Sequence, residues 1–215
     1  MSEPARSFVP AAGHDWLLPL YDPLQRLLGG DAARRRFVDL AGIEPGQRIL
    51  DIGCGTGSLL ALVAGLHPQV ELIGLDPDPK ALARARRKCE RASIGVRLDL
   101  GFSDALPYVD ASFDRVLSSF MFHHLEAETK RATLREARRV LAPGGALHLL
   151  DFGGSAGNES GLLGHLLHAA EPLRENFDGG IPALMEEAGF AEAGEIDHRA
   201  SWIGRIAHVR GAVPG

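Results

Sequence analysis

The chain has 215 residues, 45% of them hydrophobic and 24% charged, with a formal net charge of −5. This composition fits one folded domain with a sizeable core and excludes disorder over any large part of the chain. No apolar run reaches the roughly 18 residues that a membrane-spanning helix needs, and the acidic balance argues against a nucleic-acid partner, which would be met by a concentrated excess of Lys and Arg. The first twenty residues carry Glu3, Asp15 and three prolines in place of a secretory apolar block, so a cytoplasmic location is expected. The two cysteines, Cys54 and Cys89, are expected to be reduced. The anomaly is glycine: 26 residues, about 12% where ~7% is ordinary. Its meaning depends on where the glycines sit.

In chain order, residues 1–13 are aperiodic and expected to be flexible. Residues 14–28 and 31–42 are expected to form a helical preface, the second helix with Phe37, Leu40 and Ala41 on one face and Gly42 as its stop. From Gln47 short apolar runs alternate with amphipathic stretches, the form of repeated βα units around a parallel sheet. Strands are expected at 48–53, 70–75, 96–101, 113–120 and 146–152, with helices at 58–66, 79–92 and 127–141. The last of these helices is expected to end at Pro143-Gly144-Gly145. Beyond a Gly- and Ser-rich loop at 153–161, helices are expected at 160–171 and 181–189 and strands near 191–198 and 201–210. The whole is an α/β layer structure with a mainly parallel sheet and an antiparallel pair at the C-terminus.

The stretch ILDIGCGTGSL (49–59) sets Gly53, Gly55 and Gly57 between a buried strand and a helix, the place where open α/β sheets bind ligands. Alternate glycines allow a sharp turn and close approach of a ligand to the backbone, although a tight strand-to-helix turn would also use them. The pattern is not a dinucleotide fingerprint, because Ser58 falls where the third glycine or alanine belongs, and no lysine follows to make a phosphate-binding loop. G-x-G-x-G suits a nucleoside without phosphates. Asp76, at the tip of the next strand, can accept both hydroxyls of a ribose. It could instead cap a helix, but Asp78 is better placed to do so.

Four segments, DIGCGTG (51–57), LDPD (75–78), SDALPYVDASFDRVLSSF (103–120) and REARRVLAPGGAL (135–147), resemble in order and spacing the motifs of class I S-adenosylmethionine-dependent methyltransferases. More closely, the chain is similar to small enzymes of the methyltransferase type 11 domain, which includes ubiquinone and menaquinone biosynthesis methyltransferases. The resemblance covers about residues 14–210, with specific motifs at 47–150. It implies a Rossmann-like, doubly wound, seven-stranded mainly parallel sheet of order 3-2-1-4-5-7-6, with helices on both faces and an N-terminal helical lid. It also implies a single domain at 14–215, made of a lid at 14–45, a cofactor-binding core at 46–152 and substrate-side helices and antiparallel strands at 153–215. The implied cofactor is S-adenosyl-L-methionine, leaving as S-adenosyl-L-homocysteine. In that family's manner Asp51 would hold the methionyl ammonium and the loop Gly53, Cys54, Gly55 and Gly57 would pack on the same part. Asp76 would take the ribose, Pro77 would lie near the adenine, and Ser103, Asp104 and Ala105 would meet the adenine edge. Ser118 or Ser119 would offer a carbonyl.

Methyl transfer from a sulfonium is an in-line displacement governed by positioning, and a base is needed only where the acceptor carries a proton. His123 and His124, directly after the fourth strand, are candidates, and only one of two adjacent side chains can face the site. Tyr21, with His14 and Trp16, forms a second group, which could equally be the buried stripe of its helix. His165, His168 and Glu171 share a helical spacing, but no metal is expected. The arginine runs at 34–36 and 84–91 are expected to be solvated helix faces. The expected partner is a small-molecule acceptor, with the chain a monomer or homodimer. Two other readings stay open: a non-catalytic cofactor-binding module, and a nicotinamide-dependent oxidoreductase on the same topology.

Overall fold

The structure, a computed structural model, describes residues 30–153, 180–201 and 204–215. The expectations for 1–29 and 154–179, including the helices at 14–28 and 160–171, Tyr21, His14, Trp16, His165, His168 and Glu171, lie outside the described residues.

Among the described residues five α-helices and seven strands follow one another as α1 (Gly30–Leu40), β1 (Arg48–Ile52), α2 (Ser58–Leu66), β2 (Glu71–Asp76), α3 (Pro79–Arg91), β3 (Arg97–Leu100), β4 (Phe113–Ser119), α4 (Ala127–Val140), β5 (Leu141–Phe152), α5 (Gly180–Glu187), β6 (Ala191–Ser201) and β7 (Gly204–Ala212). A short 3-10 turn, Phe122–His124, lies between β4 and α4. The strands form one sheet in the order β3-β2-β1-β4-β5-β7-β6. The pairs from β3 to β5 are parallel, whereas β5–β7 and β6–β7 are antiparallel. This is the order that the four sequence motifs imply.

Local chemistry accounts for the elements. In β1 four of the five residues are buried, the near-continuous burial of a central parallel strand covered on both faces. Helix α3 opens with Asp78 accepting from the Lys80 N–H at 2.8 Å and with Pro79 in its first turn, and it closes with Lys88 and Arg91 in its last, so cap, proline and charge all favour its polarity. Asp78 is thus the cap, which leaves Asp76 for other work.

Two expectations need correcting. Helix α1 buries Ala33, Arg34, Phe37, Val38 and Ala41, an i, i+1, i+4, i+5, i+8 stripe that swings past Leu40 and takes Arg34 inward. The chain also leaves α4 at Val140, ahead of the Pro-Gly-Gly, and enters β5 directly at Leu141. Ala142 precedes a proline and is disfavoured in helix. The residues after it form a bulge, since Phe113 pairs with Leu141 but Arg115 pairs with Ala146.

Strand alternation splits the core into two layers. Leu50, Ile52, Ile73, Leu75, Val116, Leu147 and Leu149 meet α4 and α5 through Leu134, Ala137, Ile181 and Met185. Ile49, Leu72, Leu117 and Leu150 meet α1, α2 and α3 through Phe37, Val38, Leu59, Leu60, Val63 and Leu82. Each such fully buried large side chain contributes roughly 1.5–3 kcal/mol. The side chain of Asp51, two residues from Ile49 on the same strand, therefore faces the α1 layer. The chain order reverses between β2-β1 and β4-β5, and the crevice at that switch point opens at the carboxyl ends of the strands.

Candidate functional site

A cleft of about 540 Å³ lies at this crevice, within the size range of small-molecule sites. Of the residues singled out in the sequence, Gly53, Cys54 and Gly55 line it from the first loop and Asp76 and Pro77 from the tip of β2. Ser103, Asp104, Ser119 and His124 complete the set. Asp51, Gly57, Ala105, Ser118 and His123 are not among the lining residues. Asp51 and Ser118 are buried and Ala105 is exposed.

The loop is shaped by its neighbours as much as for a ligand. Gly53 has φ +70° and a Cβ there would fall 2.4 Å from the Met121 Cγ. Gly57, also left-handed at φ +76°, would set a Cβ 3.0 Å from the Cβ of Ala85 on α3. Around Gly55 there is open space. The main chain is stitched to β2 by the Gly53 and Cys54 N–H groups, which donate to the Leu75 carbonyl at 2.8 and 3.0 Å. Asp76 holds the same turn from its other side, its Oδ2 accepting from Gly55 N–H at 2.8 Å and its Oδ1 from Asp78 N–H at 2.9 Å. Each oxygen keeps a lone pair for a ligand hydroxyl. Burial raises the Asp76 pKa, while those two backbone N–H bonds oppose the rise. Both cysteines are free and buried, and burial pushes the Cys54 thiol well up.

Asp51 is 2% exposed and neither carboxylate oxygen has a hydrogen-bond partner. Burial pushes its carboxyl well above the usual range, against the lowering influence of Arg34 and with Asp76 adding to the rise. A buried carboxylate in this state is costly unless a cation reaches it. Arg34 lines the cleft at 6% exposure, its guanidinium 5.3 Å from the Phe120 ring centroid. Arg34 thus brings a positive charge to the cleft wall near the buried Asp51, an arrangement that fits a zwitterionic amino-acid group whose ammonium would favour the ionised carboxylate.

The two histidines part company. His124 lines the cleft, and burial lowers its pKa to about 4 with His123 adding to the effect. His123 turns to Asp151 near the end of β5, its Nδ1 2.5 Å from Oδ1. Among the described residues no group of three or more His, Cys, Asp and Glu could hold a metal. No described helix is long and apolar enough to cross a membrane.

Residues 49–145 match the methyltransferase domain family. The chain carries a class I methyltransferase domain. Its cofactor class is S-adenosylmethionine, and the unpartnered Asp51 carboxylate and the Asp76 tip are what an ammonium and a ribose would meet. This methyltransferase domain is 44% identical, over 63% of the chain and 62% of the relative, to a demethylmenaquinone methyltransferase of Thermus thermophilus. It is 34% identical, over 63% and 60%, to a ubiquinone/menaquinone biosynthesis C-methyltransferase of a Geobacter species. The matches thus span about three fifths of those relatives. The crystal structure of a SAM-dependent methyltransferase from Aquifex aeolicus superposes with a TM-score of 0.67 at 18% identity, covering 84% of this chain and 89% of that one, a likeness of fold.

Sequence reasoning missed Arg34, Asp151 and the apolar lining supplied by Phe102, Phe120 and Met121. Arg34 was legible only as one of three adjacent arginines. Its neighbours Arg35 and Arg36 are exposed as expected, and a helical wheel centred on Phe37 and Val38 would have turned Arg34 inward.

Proposed function

We propose that this protein transfers a methyl group from S-adenosylmethionine to a small hydroxylated acceptor, with an aromatic quinol as the favoured class. The observation that carries the reading is the union in one cleft of the glycine loop, the Asp76 tip and Arg34, with the unpartnered Asp51 carboxyl buried close by. In this reading Asp51 receives the methionyl ammonium and Arg34 the carboxylate. Gly53, Cys54, Gly55 and Ser119 shape the sulfonium end, with Gly57 and Ser118 supporting from behind. Asp76 accepts from the ribose hydroxyls. Pro77, Ser103, Asp104 and Ala105 border the adenine. When bound, the cofactor supplies an activated methyl on a sulfonium. What the chain supplies is alignment, which can account for roughly 7–11 kcal/mol of the barrier, together with exclusion of water by Leu59, Phe102, Phe120 and Leu125 at the cleft wall.

The quinol class is supported by the names of the relatives above and by the apolar side chains beside His124. Residues 14–45 as a lid, with Tyr21 a candidate catalytic group, and 153–215 as the acceptor side belong to the same proposal. Calorimetry with S-adenosylhomocysteine tests the reading. We expect saturable one-to-one binding that Asp76→Ala weakens by roughly a hundredfold, the loss of a charge-assisted bidentate contact. Absence of binding in the wild-type protein would overturn it, and saturable nicotinamide-dinucleotide binding would favour an oxidoreductase. Binding without transfer of a labelled methyl to any phenol, quinol, alcohol or amine in a panel would leave a cofactor-binding module.

A further inference from the structure

We propose that the outer face of helix α3 is an electrostatic docking surface for an anionic phospholipid bilayer. Six of the thirteen residues of α3 are Lys or Arg, against the single Glu90, in a chain whose net charge is −5. The helix buries Ala81, Leu82, Ala85 and Cys89. Lys88 turns toward the glycine loop, its Nζ donating to Ser58 Oγ at 2.8 Å and to Thr56 Oγ1 at 3.3 Å. With that side pinned, Lys80, Arg84, Arg87 and Arg91 fall at i, i+4, i+7 and i+11, one row on the outer side. Lys80, Arg87 and Arg91 are exposed and Arg84 is half-buried. At 1.5 Å per residue the row is about 16 Å long.

Helix stability does not ask for this row. Like charges three and four positions apart weaken a helix, and Lys80–Arg84, Arg84–Arg87 and Arg87–Arg91 are all so placed, with no acid between them. Arg84, Arg86, Arg87 and Arg91 form no hydrogen bond or ion pair among the described residues. Elsewhere the protein meets its cations with acids: Arg36 with Asp197, Arg97 with Asp99, Arg139 with Glu136 and Arg210 with Glu192. The exposed arginines left over, Arg35, Arg135 and Arg199, stand singly on α1, α4 and β6.

Charge complementarity and the surroundings select the occupant. A bilayer offers a plane of phosphates to the whole row at once, and each cation held near an anionic surface is worth about fivefold in binding. A nucleic acid would run past the row onto the remainder of the chain, whose acidic balance repels it. The edge strand β3 adds an apolar contact. Leu98 packs with the layer of α1, α2 and α3, so Leu100, two residues on, faces the same side of the sheet as α3, and it is 62% exposed. Leu100 lies two residues before Phe102, and Lys80 two after the capping Asp78; Phe102 and Asp78 both line the cleft. Docking through this face brings the mouth of the cleft to the bilayer, the phase that holds an apolar acceptor. That consequence rests on the quinol reading above, whereas the docking rests on the charge pattern and is tested apart from it.

The test is flotation of the full chain with vesicles of phosphatidylcholine alone or in equal parts with phosphatidylglycerol. We expect binding to the mixed vesicles at about 0.1 M salt, where charges act over about 10 Å, and its loss at about 1 M, where they act over about 3 Å. Phosphatidylcholine alone should bind little. Arg84→Gln/Arg87→Gln/Arg91→Gln should weaken binding to the mixed vesicles roughly a hundredfold, about fivefold for each charge. Arg35→Gln/Arg135→Gln/Arg199→Gln removes the same charge elsewhere and should keep that affinity within about threefold. Both variants should match the wild type in circular dichroism and in calorimetry with S-adenosylhomocysteine, since none of the six side chains lines the cleft. An equal loss in the two variants would make net charge, and not this face, the cause. That result, equal binding to both kinds of vesicle, or no binding to the mixed ones would each overturn the proposal. Polyuridylic acid bound more tightly than vesicles, and released by the α3 substitutions, would overturn it in favour of a nucleic-acid face. The wild-type comparisons of lipid and salt report even if a variant fails to fold. A wild type that binds vesicles but not S-adenosylhomocysteine upholds the docking and overturns instead the methyl-transfer reading.

Discussion

At the scale of single residues the site turns on buried charge. Asp51 shows the consequence most directly. Burial raises its pKa over any pull from Arg34, so the folded protein disfavours its ionised form. A group whose folded pKa lies above its unfolded value favours the fold at low pH, and that contribution is lost as pH rises through the folded pKa. At neutral pH Asp51 therefore weighs against stability in the ligand-free protein. Asp51→Asn should raise the ligand-free melting temperature by about 2–4 °C, the equivalent of roughly 1 kcal/mol in a chain of this size. It should also abolish most of the shift produced by S-adenosylhomocysteine. Thermal shift with and without ligand measures both, and a variant that melts lower yet keeps its ligand shift would remove Asp51 from the ammonium site. The same linkage has ligand affinity fall as the medium is acidified through the Asp51 titration. Asp51 was legible in the sequence because the motif around it is; Arg34 and Asp151 were not, since each acquires its role only from a neighbour far along the chain.

At the scale of elements, the strand-and-helix alternation was readable almost throughout 47–152 because near-continuous apolar strands differ so plainly from amphipathic helices. Helix 58–66 was expected and is Ser58–Leu66. What could not be read was the reason for each glycine. All three loop glycines have positive φ, yet a Cβ at Gly53 would strike Met121, one at Gly57 would press on Ala85, and one at Gly55 would meet nothing. Gly53→Ala should cost about 1–2 kcal/mol for the left-handed backbone and about 1–3 more for the overpacking, a drop of roughly 5–15 °C in melting temperature. Pairing it with Met121→Ala should restore part of that loss, a coupling of about 0.5–3 kcal/mol. Strictly additive losses would show that the clash is not what makes glycine necessary there. Gly55→Ala should fold with a smaller loss yet bind S-adenosylhomocysteine poorly, because its methyl would project into the cleft.

At the scale of the whole molecule, the sheet order is the one the family resemblance implies, but the pairing of β5 with β7 hides a feature that no local pattern announces. His148 and His208 sit side by side on those strands, 1% and 2% exposed, their rings tilted by 51° and Nδ1 of His148 3.0 Å from Nε2 of His208. Phe37 of α1 packs on both rings. In sequence each is a lone histidine in an apolar strand, and a separation of 60 positions leaves no spacing to recognise. Burial lowers their pKa values to about 3 and about 4, the His208 charge adding to the effect on His148 and Asp197 partly opposing it at His208. Both values lie below the roughly 6.5 of an unfolded histidine, so between those limits the unfolded chain binds more protons than the folded one. Stability from this pair is complete above about pH 6.5 and is lost as pH falls toward 4, at up to about 1.4 kcal/mol per pH unit for each ring. The raised pKa values of Asp51 and Asp76 act in the opposite sense and blunt the decline. Urea denaturation across this window should show the wild type losing stability as the pH falls. A His148→Phe/His208→Leu variant, which keeps an apolar filling against Phe37, should show a much shallower slope. Equal slopes for the two proteins would mean that the acid response arises elsewhere.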